Sequence, residues 1–525
     1  MQSRPLLLTA AVLVSLIGST SAEGRETITV AAGGDLQAAI NRAKRGDVIL
    51  LEPGAIFVGN FTLPALPGSA YITIRSAADP SRFPVNGRVG PEHRQWMPTL
   101  RSPNGAATLA TVSGAHHWRL QWLAFEANVN GAGDIITLGD GSEAQRTPAT
   151  IPRYFILEGL IVRGHPERGQ KRGIALNSGA TVIRNSDIRG IKARGQDSQA
   201  ICGWNGPGPY IIENNYLEAA GENVMFGGAD AAVPNLVPSD ITFRSNYVTK
   251  PLEWREKDSP WTVKNLFELK SARRVLIEGN IFEYNWLAGQ PGYAIVLTPA
   301  NQDGRAPWTV VSDVTFQFNI VRHVASAINV LGYGHRAESR QTRGIVIRQN
   351  LFYDVDASRW GGHGRFIQIG DEPADILVDH NTVLQSGSVL QLYGQRDGSP
   401  RPIRNLQVTN NLTLHNEYGI MGDSYGIGQS SIDAYISQGV IRRNVLAGGD
   451  QRRYPSDNFF PNVAELMNEF VDGANGDYRL KPSSRFRTAG TDGSMVGANV
   501  ELILRLVPPA ESPGRVRSPG SGRQP

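Results

Sequence analysis

The sequence predicts an all-β solenoid of the parallel β-helix type, and three observations lead there. An asparagine-centred motif recurs at near-constant spacing, short alternating strands lie between its copies, and glycine (58) and proline (32) are abundant in a chain of 525 residues. Many short strands joined by turns fit that composition better than long helices do. With 40% hydrophobic residues the chain can bury a large core.

The motif reads YIIENNYL at Asn215, ITFRSNYV at Asn246, VLIEGNIF at Asn280, VTFQFNIV at Asn319, IVIRQNLF at Asn350, ILVDHNTV at Asn381, LQVTNNLT at Asn411 and VIRRNVL at Asn444. Successive asparagines are 31, 34, 39, 31, 31, 30 and 33 residues apart, with weaker copies near Ser186 and Leu160. Such a period is what stacked units require, because each unit buries its apolar face only against its neighbours. The asparagines are expected to form a hydrogen-bonded ladder at a tight turn, themselves taking left-handed backbone.

Between the copies lie GIALN, NVMFG, LFELK, AIVLT, AINVL, FIQIG and VLQLY. If Ile174, Ile201, Val224, Phe267, Ile295, Ile328, Ile367, Leu390 and Ile420 point inward, alternation turns Ala175, Cys202, Met225, Glu268, Val296, Asn329, Gln368, Gln391 and Met421 outward. The next outward column holds Gly203 or Trp204, then Lys270, Thr298, Leu331, Ile369 or Gly370, Tyr393 and Asp423.

At the front, GGDLQAAINRAKRG predicts an amphipathic helix with Asp35 as N-cap and Leu36, Ala39, Ile40 and Ala43 on its apolar stripe. Residues 1–22 pair a basic start with a short apolar run and small residues near Ala22, as a secretory signal peptide does. A secreted or periplasmic protein with no membrane span is expected, the folded body covering 23–507 and a disordered Pro/Gly/Ser/Arg tail covering 508–525. Of the formal charge of +4, Arg4 contributes one and the tail two, which leaves no nucleic-acid footprint. A monomer is expected. Cys202 is the only cysteine, so the body relies on its core and not on a disulfide.

The repeats, the opening helix and a closing segment around GDYRLKPSSRF together resemble the right-handed parallel β-helix proteins, the pectate-lyase-like superfold. The resemblance implies a single-stranded right-handed solenoid with an N-terminal cap helix, and a groove along one sheet that takes an extracellular polysaccharide. FELKSARR is similar to the strand that carries the catalytic lysine in alginate and chondroitin lyases of this superfold, although the glutamate spacing differs and no arginine follows one turn later.

A lyase of an acidic, uronate-containing glycan is therefore the favoured expectation, with a glycoside hydrolase and a non-catalytic glycan-binding protein as alternatives. β-Elimination needs a base at C5 and a cation facing the carboxylate. Lys270 is the candidate base, beside Glu268, with Arg255, Arg273 or Arg274 as helpers. Trp204, Trp254, Trp261, Asn329, Gln368, Gln391 and Tyr393 are candidate substrate contacts, since rings, amides and cations suit an acidic sugar. Calcium is the one cofactor expected, with Glu222, Asp230 and Glu268 as candidate ligands. Asp354, Asp356, Asp371 and Glu372 are read as surface turn acids, with calcium held on a loop as the alternative, and Gly362-His363-Gly364 lacks the carboxylate pair a hydrolase would place one turn earlier.

Overall fold

The computed structural model describes residues 25–509. The expected signal segment, and all but the first two residues of the expected tail, lie outside the described residues. The chain winds as a right-handed parallel β-helix with three long sheets of 15, 13 and 13 strands, each coil contributing one strand to each sheet. One coil illustrates the path. Ala272–Glu278 belongs to sheet 1, Ile281–Asn285 to sheet 2 and Tyr293–Leu297 to sheet 3, before Val311–Gln317 resumes sheet 1 in parallel register.

The turn between sheets 1 and 2 carries the ladder. Asn319 Oδ1 accepts from the backbone N–H of Asn280 at 2.9 Å and from Asn280 Nδ2 at 2.9 Å, while Asn319 Nδ2 donates to Ile277 O at 3.0 Å. The same three bonds repeat from Asn215 to Asn444. Ser186 enters at one end through its N–H on Asn215 Oδ1, and Asn458, only 14 residues after Asn444, adds a last rung at the other. Left-handed backbone falls on the preceding residue and not on the asparagine, at Asn214, Ser245, Gly279, Phe318, Gln349, His380, Asn410 and Arg443. The ladder bonds outweigh the roughly 1–2 kcal/mol that such backbone costs a residue with a Cβ.

Inside, the alternating residues form one continuous apolar core in which Phe243, Phe282, Phe316 and Phe352 stack at 5.8–6.3 Å between neighbouring centroids. The helix Leu36–Arg42 is capped by Asp35, whose Oδ1 accepts from Ala38 N, and buries Leu36, Ala39 and Ile40 in that core. At the far end the helix Gln429–Tyr435 lays Tyr435 over the last coil, and Gly426–Ile427 pairs antiparallel with Ile420–Gly422, which ends sheet 3.

The closing segment around GDYRLKPSSRF packs Leu480 and Phe486 against Leu412, Val445 and Ala447, on the last strands of sheet 2. Residues 491–506 run back along the outside of sheet 2, where Ala498, Val500 and Ile503 cover Tyr216, Tyr247, Ile281, Ile320 and Leu351. Among the described residues no helix is long and apolar enough to cross a membrane.

Candidate active site

Sheet 3 carries the candidate site on its outer face. Its register pairs Met225, Glu268, Val296, Asn329, Gln368, Gln391 and Met421 in one outward column. Leu331, Gly370 and Tyr393 pair in the next, and Gly203 pairs with inward Phe226, so Trp204 and Gly370 are the outward members at the two ambiguous positions.

These columns border a cleft of about 520 Å³ walled by Glu268, Lys270, Tyr293, Asn329, Gln368 and Tyr393, with His335 and His363 also lining it. Lys270 Nζ donates to Glu268 Oε1 at 2.7 Å, and Asn265 Nδ2 donates to Glu268 Oε2 at 3.1 Å. Glu268 is only 1% exposed, so the carboxylate is a buried anchor and the partly exposed ammonium is the group the cleft sees. Of the other lining residues, Tyr293 OH donates to Gln368 Oε1 at 2.7 Å, and Arg365 Nη1, just outside the lining, donates to the same oxygen at 2.6 Å.

The Tyr393 ring lies over Gly370, where a Cβ would stand 2.2 Å from ring carbons, so the tyrosine's pose depends on that glycine. Burial, followed by the charge of Asp371, pushes the Tyr393 phenol up to about 12, which keeps it a neutral donor at physiological pH. Burial and then the charge of Arg365 hold His363 below the ordinary histidine range, so its imidazole is uncharged at neutral pH.

One coil before Glu268 lies a second charged group. Glu222 is fully buried, accepts from Gln199 Nε2 at 2.8 Å and faces Lys264 Nζ at 3.3 Å, and that ammonium also pairs with Asp197. Burial, then the charges of Glu268 and Asp197, raise the Glu222 carboxyl. Beneath it Lys250 Nζ donates to the carbonyls of Ala219, Ala220 and Gly221 and to Asn223 Oδ1, fixing the turn that presents Glu222.

Several expected site residues stand elsewhere. Trp254 is buried with Trp286 and Trp360, Trp261 packs against that cluster, and Arg255 stacks on Trp360 at 4.9 Å and donates to Arg359 O. Loop rings of this size hide one another from water, which leaves them as wall and not as lining of the Lys270 cleft. Trp204 Nε1 donates to Gly141 O, with Arg172 over its ring at 5.0 Å, two coils from Lys270. Gln391 is buried and bonded to Asp423.

Arg273 and Arg274 lie on sheet 1, bonded to Ser239 and Asp240. Asp230 accepts from the N–H groups of Gln302, Asp303 and Arg305 and so anchors that loop. Asp354 is taken by His323, Arg359 and Trp360, Asp356 caps a helix, and Asp371 and Glu372 pair with Arg401. Cys202 is a buried groove-floor thiol that burial pushes up to about 12, so it is no nucleophile.

Tyr293 and Arg365 escaped the sequence reading because both sit two positions before an inward isoleucine, where strict alternation turns a side chain into the core. They stand where the strands of sheet 3 begin, and from there both reach Gln368 on the outward face.

No family model matches the chain, and no curated protein matches it. Among solved structures it is similar to the polysaccharide lyase family 6 alginate lyase AlyGC, at 15% identity and TM-score 0.53 over 90% of this chain and 57% of that one. It is also similar to a mannuronic acid specific family 6 polysaccharide lyase from human gut microbiota, at 11% identity and TM-score 0.51 over 85% of this chain and 93% of that one. This chain thus spans little more than half the length of the first. At these identities the likeness establishes the right-handed β-helix fold.

Proposed function

We propose that the chain is an exported polysaccharide lyase that cleaves an acidic, uronate-containing glycan by β-elimination in the sheet 3 cleft. The observation that carries this is the Glu268–Lys270 pair at 2.7 Å facing neutral donors across one cleft. Passage of one proton along that bond leaves a neutral amine on Lys270, which can take the C5 proton, while the carboxylate of the sugar meets the neutral donors of the cleft. Tyr293 and Tyr393 offer phenol donors to the departing C4 oxygen.

Hydrolysis is disfavoured by the lining. Glu268 is the only carboxylate among the lining residues, whereas a glycosidase places two carboxyl groups on either side of the bond. A glycan-binding protein without catalysis has one observation in its favour, that Lys270 is already satisfied by Glu268.

The residues expected to bind calcium do not fit the ion. Glu222 is engaged by Gln199 and Lys264, Glu268 by Asn265 and Lys270, and Asp230 by three backbone amides. Two lysine ammoniums stand beside these carboxylates, so a chelator is expected to leave the initial rate unchanged. A lost rate restored by added calcium would contradict this.

The test is incubation with a panel of uronate polymers, followed by the ultraviolet absorbance of new unsaturated ends. Growth of that absorbance on at least one polymer is expected. Retention of polymer with no new ends would instead establish the binding protein.

A further inference from the structure

Four guanidinium groups of these coils are matched by carboxylates: Arg172 by Asp134, Arg322 by Glu283, Arg359 by Asp354, and Arg401 by Asp371 and Glu372. Arg365 differs. Among the described residues it makes no ion pair, and its partners are the neutral Gln368 Oε1 at 2.6 Å and Tyr293 OH at 3.4 Å. Gln368 Oε1 is shared with the Tyr293 hydroxyl, and Gln368 Nε2 donates weakly to Asn329 Oδ1 at 3.4 Å. A guanidinium carries five N–H donors, and only Nη1 is engaged here. Its uncompensated charge reaches His363, where it adds to burial in disfavouring protonation.

A full positive charge held in place by neutral dipoles at the edge of an open cleft is an incomplete ion pair. The fork geometry of the group suits a carboxylate, which would complete it. We infer that Arg365, with Asn329, Gln368 and Tyr393 beside it, forms a second carboxylate-binding subsite for the acidic polymer. The inference rests on the cleft being the uronate site. Arg365 precedes a strand three coils beyond the one bearing Glu268, so the two cationic positions lie about 14 Å apart along the solenoid axis. The polymer would then run along the axis with one carboxylate near Lys270 and another at Arg365. Oligosaccharides too short to reach both are expected to bind poorly.

The experiment compares oligogalacturonates and alginate oligosaccharides with the same molecules after their carboxyl groups are reduced to alcohols. Binding is measured by calorimetry on the Lys270→Ala protein, which removes the other cation and prevents turnover. The acidic forms are expected to bind about tenfold or more tighter than the reduced ones. Adding Arg365→Gln should abolish that preference, and Arg365→Lys should keep part of it. An equal preference with Arg365→Gln, or no binding of any acidic oligosaccharide, overturns the subsite.

If Lys270→Ala fails to fold by circular dichroism, KM for acidic polymer is compared between the wild-type protein and Arg365→Gln, and an unchanged KM overturns it. The two proposals separate cleanly. Carboxylate preference lost with Arg365, but no unsaturated product from the wild type, keeps the subsite and removes the lyase. Unsaturated product with KM unaffected by Arg365→Gln does the reverse.

Discussion

Replacing Asn319 with alanine is expected to destabilise the protein by about 3–5 kcal/mol, read as a lower denaturant midpoint. The side chain is fully buried and central to the ladder. Its loss strands the backbone N–H of Asn280, removes one of the three acceptors of Asn280 Nδ2, and leaves Ile277 O without that donor. Each unsatisfied buried group costs about 1–3 kcal/mol. Asn319→Asp keeps the acceptor but turns a carboxylate oxygen toward Ile277 O and Asn350 Oδ1, so at neutral pH it should be no milder. At the exposed Asn104 the same change to alanine should cost far less. Equal costs at Asn319 and Asn104 would mean that the ladder does not hold the coils.

The second large effect is on turnover. Lys270→Ala is expected to lower kcat on a cleaved uronate polymer by about 10²–10⁴-fold, the usual contribution of a positioned base, with the fold intact by circular dichroism. Lys270→Arg keeps the charge but resists deprotonation, and should be nearly as inactive. Glu268→Gln removes the proton partner at 2.7 Å while preserving shape, and should lower kcat more than it changes KM. A Lys270→Ala protein that turns over as fast as wild type would move the chemistry to another group.

The solenoid was legible in the chain because its causes are local. The apolar alternation that set Ile174 through Ile420 inward is the observed register, and a spacing near 31 residues stacked the asparagines as expected. What stayed hidden depends on loops and corners. Asn458 joins the ladder from a loop 14 residues on, outside the period. Phe318, Gln349 and Arg443 take left-handed backbone that no propensity would assign them. Trp254, Trp261 and Arg255 look alike in sequence whether they hold a sugar or one another, and the structure packs them among Trp286 and Trp360. Tyr293 reaches the cleft, and Arg365 its lining residue Gln368, from strand starts where side-chain parity breaks down.

Mass spectrometry of the new non-reducing ends formed from a uronate polymer tests the central claim most directly. β-Elimination at the Lys270 cleft should leave each new end one water lighter than the hydrolytic product, with no such ends from the Lys270→Ala protein. Ends carrying the full mass of hydrolysis, or unsaturated ends undiminished without Lys270, would contradict it.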